Sequence, residues 1–212
     1  MDEGIYSRPE DQRPGTDLVV VLHGYGSNPE RMLGWFDQLP ATATGVALRG
    51  HMDVGGDHGW FLLDYFLTND FAQVVAAAQK VFDWQDRYAL GYRSISLLGH
   101  SQGMAMATTL HRLRPGSYAT VVGLSGFVLS NELLSLTDVS PQDGAGVPFF
   151  WGRDPYDVVI NSAAVAYTRE WLQENTILTA RTYPEMGHGF GDDERRDVRS
   201  FYRHYLPGDS AS

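Results

Sequence analysis

The chain contains no cysteine, which excludes a disulfide framework, a thiolate metal site and a thiol nucleophile, and suits a reducing compartment. No stretch approaches the roughly eighteen consecutive apolar residues of a membrane-spanning helix. Residues 1–16 are polar and carry Pro9 and Pro14 where a signal peptide would have its apolar region. Basic residues are scarce: 16 Lys and Arg stand against 26 Asp and Glu, for a net charge of -10, and none of them cluster. Long-range electrostatics therefore opposes a nucleic-acid partner and stable association with an anionic membrane. The expectation is a soluble, cytoplasmic protein. With 212 residues, 43% of them hydrophobic, the chain is long enough for one well-buried core and short for two. We expect one domain over 1–212, with flexible tails at 1–16 and 207–212.

The most informative stretch runs from Ser94 to Met106. A short apolar strand ends at Gly99, an Ala- and Met-rich helical pattern starts after Ser101, and the serine stands on the turn between them. Gly99-His100-Ser101-Gln102-Gly103 has the form of a nucleophile elbow. A serine on so tight a turn is strained, and the positions two before and two after it leave no room for a Cβ. The first helical N–H groups, led by that of Gln102, face the place where an oxyanion would form. The competing interpretation is a chance Gly-x-Ser-x-Gly with Ser101 as a plain helix cap.

Around this stretch the pattern is an alternation of strands and helices. Asp17 to Leu22 is a β-branched apolar run, the signature of a strand buried on both faces of a mostly parallel sheet. It leads into His23-Gly24-Tyr25-Gly26-Ser27-Asn28, which has two readings: a loop whose Tyr25 N–H is the second oxyanion donor, or a turn with Asn28 capping a helix from Pro29. A strand is expected at 44–49, a helix from Asn69 to Tyr88, strands at 118–124, 147–152 and 177–183, a loop at 141–146, and a last helix from Asp192 to Tyr205. The segment from His51 to His58 carries two histidines and two aspartates, but matches no metal-ligand spacing and reads as a solvated loop. Trp60 and Phe61 read either as the wall of an acyl pocket or as ordinary core. The fold class is α/β.

A serine hydroxyl needs a base, and the base needs an orienting group. In open parallel sheets functional groups gather beyond the carboxyl ends of strands. Of the seven histidines, only His188 lies in a Gly-flanked loop directly after a late strand. Asp154 and Asp157 share one earlier loop, and either could be the acid. The order serine, acid, histidine is that of α/β-hydrolases.

On Leu22 to Gly26, Trp60-Phe61, the elbow, Leu124-Ser125-Gly126-Phe127 and Tyr183 to His188, the chain resembles the phospholipase/carboxylesterase family of small α/β-hydrolases, which includes acyl-protein thioesterases. The resemblance covers about residues 17 to 205. It implies an α/β-hydrolase fold with helices on both faces of the sheet, and a chain this short leaves little or no sequence for a lid. It further implies Ser101 as nucleophile, His188 as base, and the N–H groups of Tyr25 and Gln102 as oxyanion hole. The family's acid precedes a short Val-rich tract, which selects Asp157, ahead of Val158-Val159-Ile160, over Asp154. The family's common prolines around that tract are Val158 and Asn161 here, and the basic residue often found shortly before Trp-Phe is absent. The activity implied is hydrolysis of a small-molecule ester without metal or organic cofactor. The expected pocket is open and shallow, edged by Tyr25, Trp60 and Phe61, and suited to short or medium acyl chains. Lysophospholipase or thioesterase activity is the alternative, and a catalytically silent binding scaffold is the alternative of another class.

Overall fold

A computed structural model describes residues 4–64, 68, 71–138 and 146–206. Its centre is a seven-stranded sheet in the order β1-β3-β2-β6-β7-β8-β9. The strands are β1 (Ile5–Tyr6), β2 (Asp17–Leu22), β3 (Ala43–Leu48), β6 (Ser94–His100), β7 (Val121–Leu124), β8 (Val147–Arg153) and β9 (Thr176–Thr182). All neighbours run parallel except β1, which is antiparallel to β3. A separate antiparallel hairpin joins β4 (Met52–Val54) to β5 (Asp57–Gly59). The α-helices are α1 (Phe71–Tyr88), α2 (Gln102–Leu113), the short α3 (Glu132–Ser135), α4 (Ser162–Asn175) and α5 (Asp192–Tyr205), and a 3-10 helix spans Pro29–Gln38.

Period-two alternation in the buried strands sorts their side chains onto two faces. Leu18, Val20, Leu22, Leu97, Val121 and Phe149 pack with α1, α2 and α4 on one side. Val19, Val21, Leu98, Val122 and Phe150 pack with Trp35 of the 3-10 helix and with Val198, Phe201 and Tyr202 of α5 on the other. The sheet is thus covered on both faces, and the carboxyl ends of β2, β6, β7, β8 and β9 open toward one edge of the molecule.

Three expectations are corrected. The first sixteen residues are not a loose tail where they are described. Ile5 and Tyr6 pair with Ala47 and Val46, and the Arg8 guanidinium donates to the carbonyl of Ala41 at 3.0 Å, so an edge strand too short to show periodicity anchors the segment. The 51–58 segment is a hairpin, not a solvated loop, and Ser27 and His58 exchange backbone hydrogen bonds at 3.2 and 2.7 Å, which ties it to the β2 loop. The strand expected from Tyr118 begins only at Val121. The expected loop over 141–146 lies outside the described residues except for Gly146, as do positions 69–70 of the helix and the tail at 207–212. Among the described residues no helix is long and apolar enough to cross a membrane.

Candidate active site

At the end of β6, Ser101 has φ 52° and ψ -117°, a conformation that L-residues adopt only under constraint, at about 1–3 kcal/mol. The constraint is visible on both sides. A Cβ on Gly99 would lie 2.2 Å from the Gly103 carbonyl oxygen, and one on Gly103 would lie 2.1 Å from that of Leu22. Only glycine lets β6, α2 and β2 approach this closely, and the approach holds the serine at the crest of the turn. The Ser101 N–H donates to the Leu124 carbonyl at 2.9 Å, fastening the crest to the neighbouring strand.

The other partners arrive from the loops after β8 and β9. His188 Nε2 lies 2.9 Å from Ser101 Oγ, and His188 Nδ1 lies 2.7 Å from Asp157 Oδ2. The Asp157 side chain is almost fully buried, whereas His188 keeps partial access to solvent. Asp157 Oδ1 accepts from the Val159 N–H at 2.8 Å, so the Val-Val tract orients the carboxylate. Asp154 makes a different set of contacts: its Oδ1 accepts from the Tyr156 N–H at 2.8 Å and its Oδ2 from the Gly187 N–H at 2.7 Å. The Tyr156 and Gly187 N–H groups hold its carboxyl below the usual carboxylate range. The structure therefore brings Ser101, His188 and Asp157 into one hydrogen-bonded chain, with Asp154 one residue away along the backbone of the histidine loop.

Tyr25 and Gln102 border the same space, and their N–H groups have no hydrogen-bond partner among the described residues. Asn28 caps the 3-10 helix from Pro29, accepting from the Arg31 N–H at 3.2 Å, so the turn reading of this loop applies alongside the open Tyr25 N–H. His23 is buried and keeps a single tautomer: its Nε2 accepts from the Gly50 N–H at 2.9 Å, which leaves Nδ1–H to donate to the Gly24 carbonyl at 2.7 Å. Burial lowers its pKa and keeps the ring neutral.

Trp60 and Phe61 do not edge the pocket. They are 0% and 1% exposed and belong to the core. The Trp60 indole N–H donates to the His23 carbonyl at 2.8 Å, its backbone N–H donates to Gln102 Oε1 at 2.9 Å, and Gln102 Nε2 donates to the Phe61 carbonyl at 2.7 Å. The pair braces the two loops that carry Tyr25 and Gln102. A loop without periodicity does not reveal which way its aromatic residues face. The cavity beside Ser101, about 470 Å³, is instead walled by Tyr25, Leu63, Phe127, Val159, Ile160 and Ala164, with Asn161 at its edge. Among the described residues, His188 and the Tyr25 phenol are the ionisable side chains that line it. Asn161, standing where proline is common in the family, accepts from the Ala164 N–H at 2.8 Å and caps α4. Among the described residues no group of three or more His, Asp or Glu stands where it could hold a metal ion.

A family profile described as Phospholipase/Carboxylesterase matches residues 9–206. The chain belongs to that family. Among curated relatives, the phospholipase/carboxylesterase family member is 24% identical over 205 residues to Esterase YpfH of Escherichia coli strain K12, covering 92% of this chain and 85% of that one. It is 21% identical over 193 residues to the putative hydrolase MhqD of Bacillus subtilis strain 168, covering 88% and 92%. Among solved structures, esterase PE8 superposes with a TM-score of 0.76 at 23% identity over 96% of this chain and 98% of that one. Acyl-protein thioesterase 2 of Zea mays gives 0.76 at 19% identity over 95% and 98%. These likenesses establish the α/β-hydrolase fold.

Proposed function

We propose that this family member is a serine carboxylesterase that cleaves short- to medium-chain acyl esters through an acyl-enzyme on Ser101. The observation that carries the reading is the unbroken Ser101–His188–Asp157 hydrogen-bond chain, 2.9 and 2.7 Å long, beside an apolar cavity. In this mechanism Ser101 Oγ attacks the ester carbonyl while its proton passes to His188 Nε2. Asp157 holds the ring through Nδ1–H and stabilises the imidazolium. The N–H groups of Tyr25 and Gln102 hold the tetrahedral oxyanion, and each donor of this kind contributes about 3 to 4 kcal/mol. The imidazolium then protonates the departing alcohol. A water activated by the same histidine attacks the acyl-serine, releasing the acid and returning the proton to Oγ. No step calls for a metal or an organic cofactor.

Cavity size and lining support the substrate class. Leu63, Phe127, Val159 and Ala164 offer an apolar seat for an acyl chain, and among the described residues no Lys or Arg of the lining offers a counter-ion. The net charge of -10 opposes approach to an anionic lipid surface, which ranks lysophospholipid below small neutral esters. The name of the Escherichia coli relative, an esterase, agrees with this reading. Hydrolysis rates across a series of p-nitrophenyl esters test it. The expected profile peaks at short or medium acyl chains; a steep optimum at long chains would move the assignment to the lysophospholipase or thioesterase branch.

A further inference from the structure

The loop that carries His188 has little to fix it by burial. Residues 186 to 191 are all only half-buried, β9 ends at Thr182, and α5 begins at Asp192. Its backbone includes Glu185 at φ 70° and Gly187 at φ 69°, both in the left-handed region. Phe190, packed on Trp35 and His100, anchors the far end of the loop, while the imidazole meets two partners at bonding distance from a stretch held by polar ties.

Three side chains grip three successive residues. Asp154 Oδ2 accepts from the N–H of Gly187 at 2.7 Å. The Nε2–H of His100 points to the carbonyl of His188 itself at 3.3 Å. Ser125 Oγ donates to the carbonyl of Gly189 at 2.9 Å. The three come from just beyond β8, the end of β6 and just beyond β7, so the grip spans the carboxyl edge of the sheet. We propose that Asp154, His100 and Ser125 are positioning residues that clamp residues 187–189 and so keep the His188 imidazole on the line between Asp157 and Ser101.

Several features fit a clamp and have no other use in the mechanism. Ser125 is held at φ 44°, a strained conformation that directs Oγ at Gly189 while its N–H donates to the Gly152 carbonyl at 2.8 Å. Ser101, Ser125 and Glu185 are the only non-glycine residues with positive φ among the described ones, and all three belong to the elbow, the clamp or the clamped loop. His100 packs against His188 and edge-on to Phe190, with ring centroids 5.4 and 5.3 Å apart. Burial and the neighbouring His188 push its pKa down to about 4, so it carries one ring proton, and a carbonyl partner requires that proton on Nε2. Asp154 does double duty: the oxygen not facing Gly187 accepts from Tyr156 and shapes the turn that delivers Asp157. One carboxylate therefore sets both the acid loop and the base loop.

The inference rests on the triad reading given above, and its test separates the two. Asp154→Asn leaves one acceptor oxygen for two N–H donors, so one tie must be lost. Asp154→Asn, Ser125→Ala and His100→Phe would be compared with wild type for kcat and KM on a short p-nitrophenyl ester. The melting temperature and the low-field proton resonance of the His188–Asp157 hydrogen bond would be recorded alongside. Asp86→Asn, in an exposed ion pair with Arg114 remote from the site, is the control. Displacement of a catalytic group by about an ångström lowers rates by up to about 100-fold, so Asp154→Asn should reduce kcat roughly 10- to 100-fold with KM changed less than about twofold. Its low-field resonance should broaden or vanish. Ser125→Ala and His100→Phe should each reduce kcat by about 3- to 10-fold with cooperative melting retained. If Asp154→Asn fails to fold, the other two variants carry the test. Folded variants with wild-type kcat and an intact resonance would overturn the clamp. The resonance needs no substrate, so an inactive wild type would sink the esterase reading while the clamp was still decided.

Discussion

Ser101 and His188 meet at 2.9 Å, but the chain delivers them in opposite ways. The serine is fixed by backbone. Two glycines allow strand, turn and helix to approach until nothing can shift, and the surrounding side chains are core. The histidine is fixed by side chains from the ends of other strands, on a half-buried loop. The difference teaches where each half is vulnerable. An elbow fails by steric collision and takes the fold with it, whereas a clamped loop fails by misalignment and loses rate first. Proteins that hold functional groups on a rigid scaffold and let loops supply variation follow the same division.

Substitutions that collide with backbone give the largest expected effect on stability. In Gly103→Ala the new Cβ would sit 2.1 Å from the Leu22 carbonyl oxygen. We expect a loss of about 3 kcal/mol or more, read by thermal or urea unfolding. A fully stable Gly103→Ala would show that the elbow tolerates what its geometry forbids.

Next in size is the strain at Ser101. Ser101→Gly and Ser101→Ala both remove the hydroxyl, but only glycine is at ease at φ 52°. Ser101→Gly should therefore be the more stable of the two by about 1 kcal/mol, after the greater chain entropy of glycine is subtracted. Equal stabilities would show that the crest is not strained.

A pH-dependent effect belongs to the other side, where the Asp157 loop begins. Glu194 of α5 is fully buried and lies against Gly152 at the end of β8, just before the acid loop. Burial pushes its pKa from 4.5 up to about 8. A carboxyl raised in the folded state binds its proton more tightly there than when unfolded, so its contribution to stability is fully present below about pH 4.5 and is lost as pH rises through about 8. Glu194→Gln should leave stability near pH 4.5 little changed and raise the melting temperature at pH 8 to 9. A gain that is the same at both pH values would contradict the assignment of the ionisation to this side chain.

The two regions also differ in how far their sequences could be read. The elbow was legible because its demands are steric, and steric demands at Gly99 and Gly103 admit one residue type. The alternation of buried runs gave the sheet and its two cores for the same reason. The loop side was less legible. Asp154 and Asp157 are the same residue type three positions apart; spacing leaves either as the acid, the family resemblance selects the one before the Val-rich tract, and the structure shows that one meeting the imidazole and the other meeting the Gly187 N–H. Trp60 and Phe61 face inward, with the Gln102 side chain pairing their backbone and the His23 carbonyl accepting from the Trp60 indole, partners that local composition does not reveal. Ile5–Tyr6 and the hairpin at 52–59 are too short for periodicity to register. His100 and Ser125 were already among the residues that carry the family resemblance, but no pattern along the chain points from either of them to positions 188 and 189.

The most direct measurement is covalent labelling with a fluorophosphonate, followed by intact mass and peptide mapping on wild type, Ser101→Ala and His188→Ala. One adduct on Ser101 is expected in wild type and none in Ser101→Ala. In folded His188→Ala labelling should slow by several orders of magnitude, because the serine has lost its base. A folded wild-type protein that takes no label, or one labelled at the same rate without His188, would contradict the triad reading.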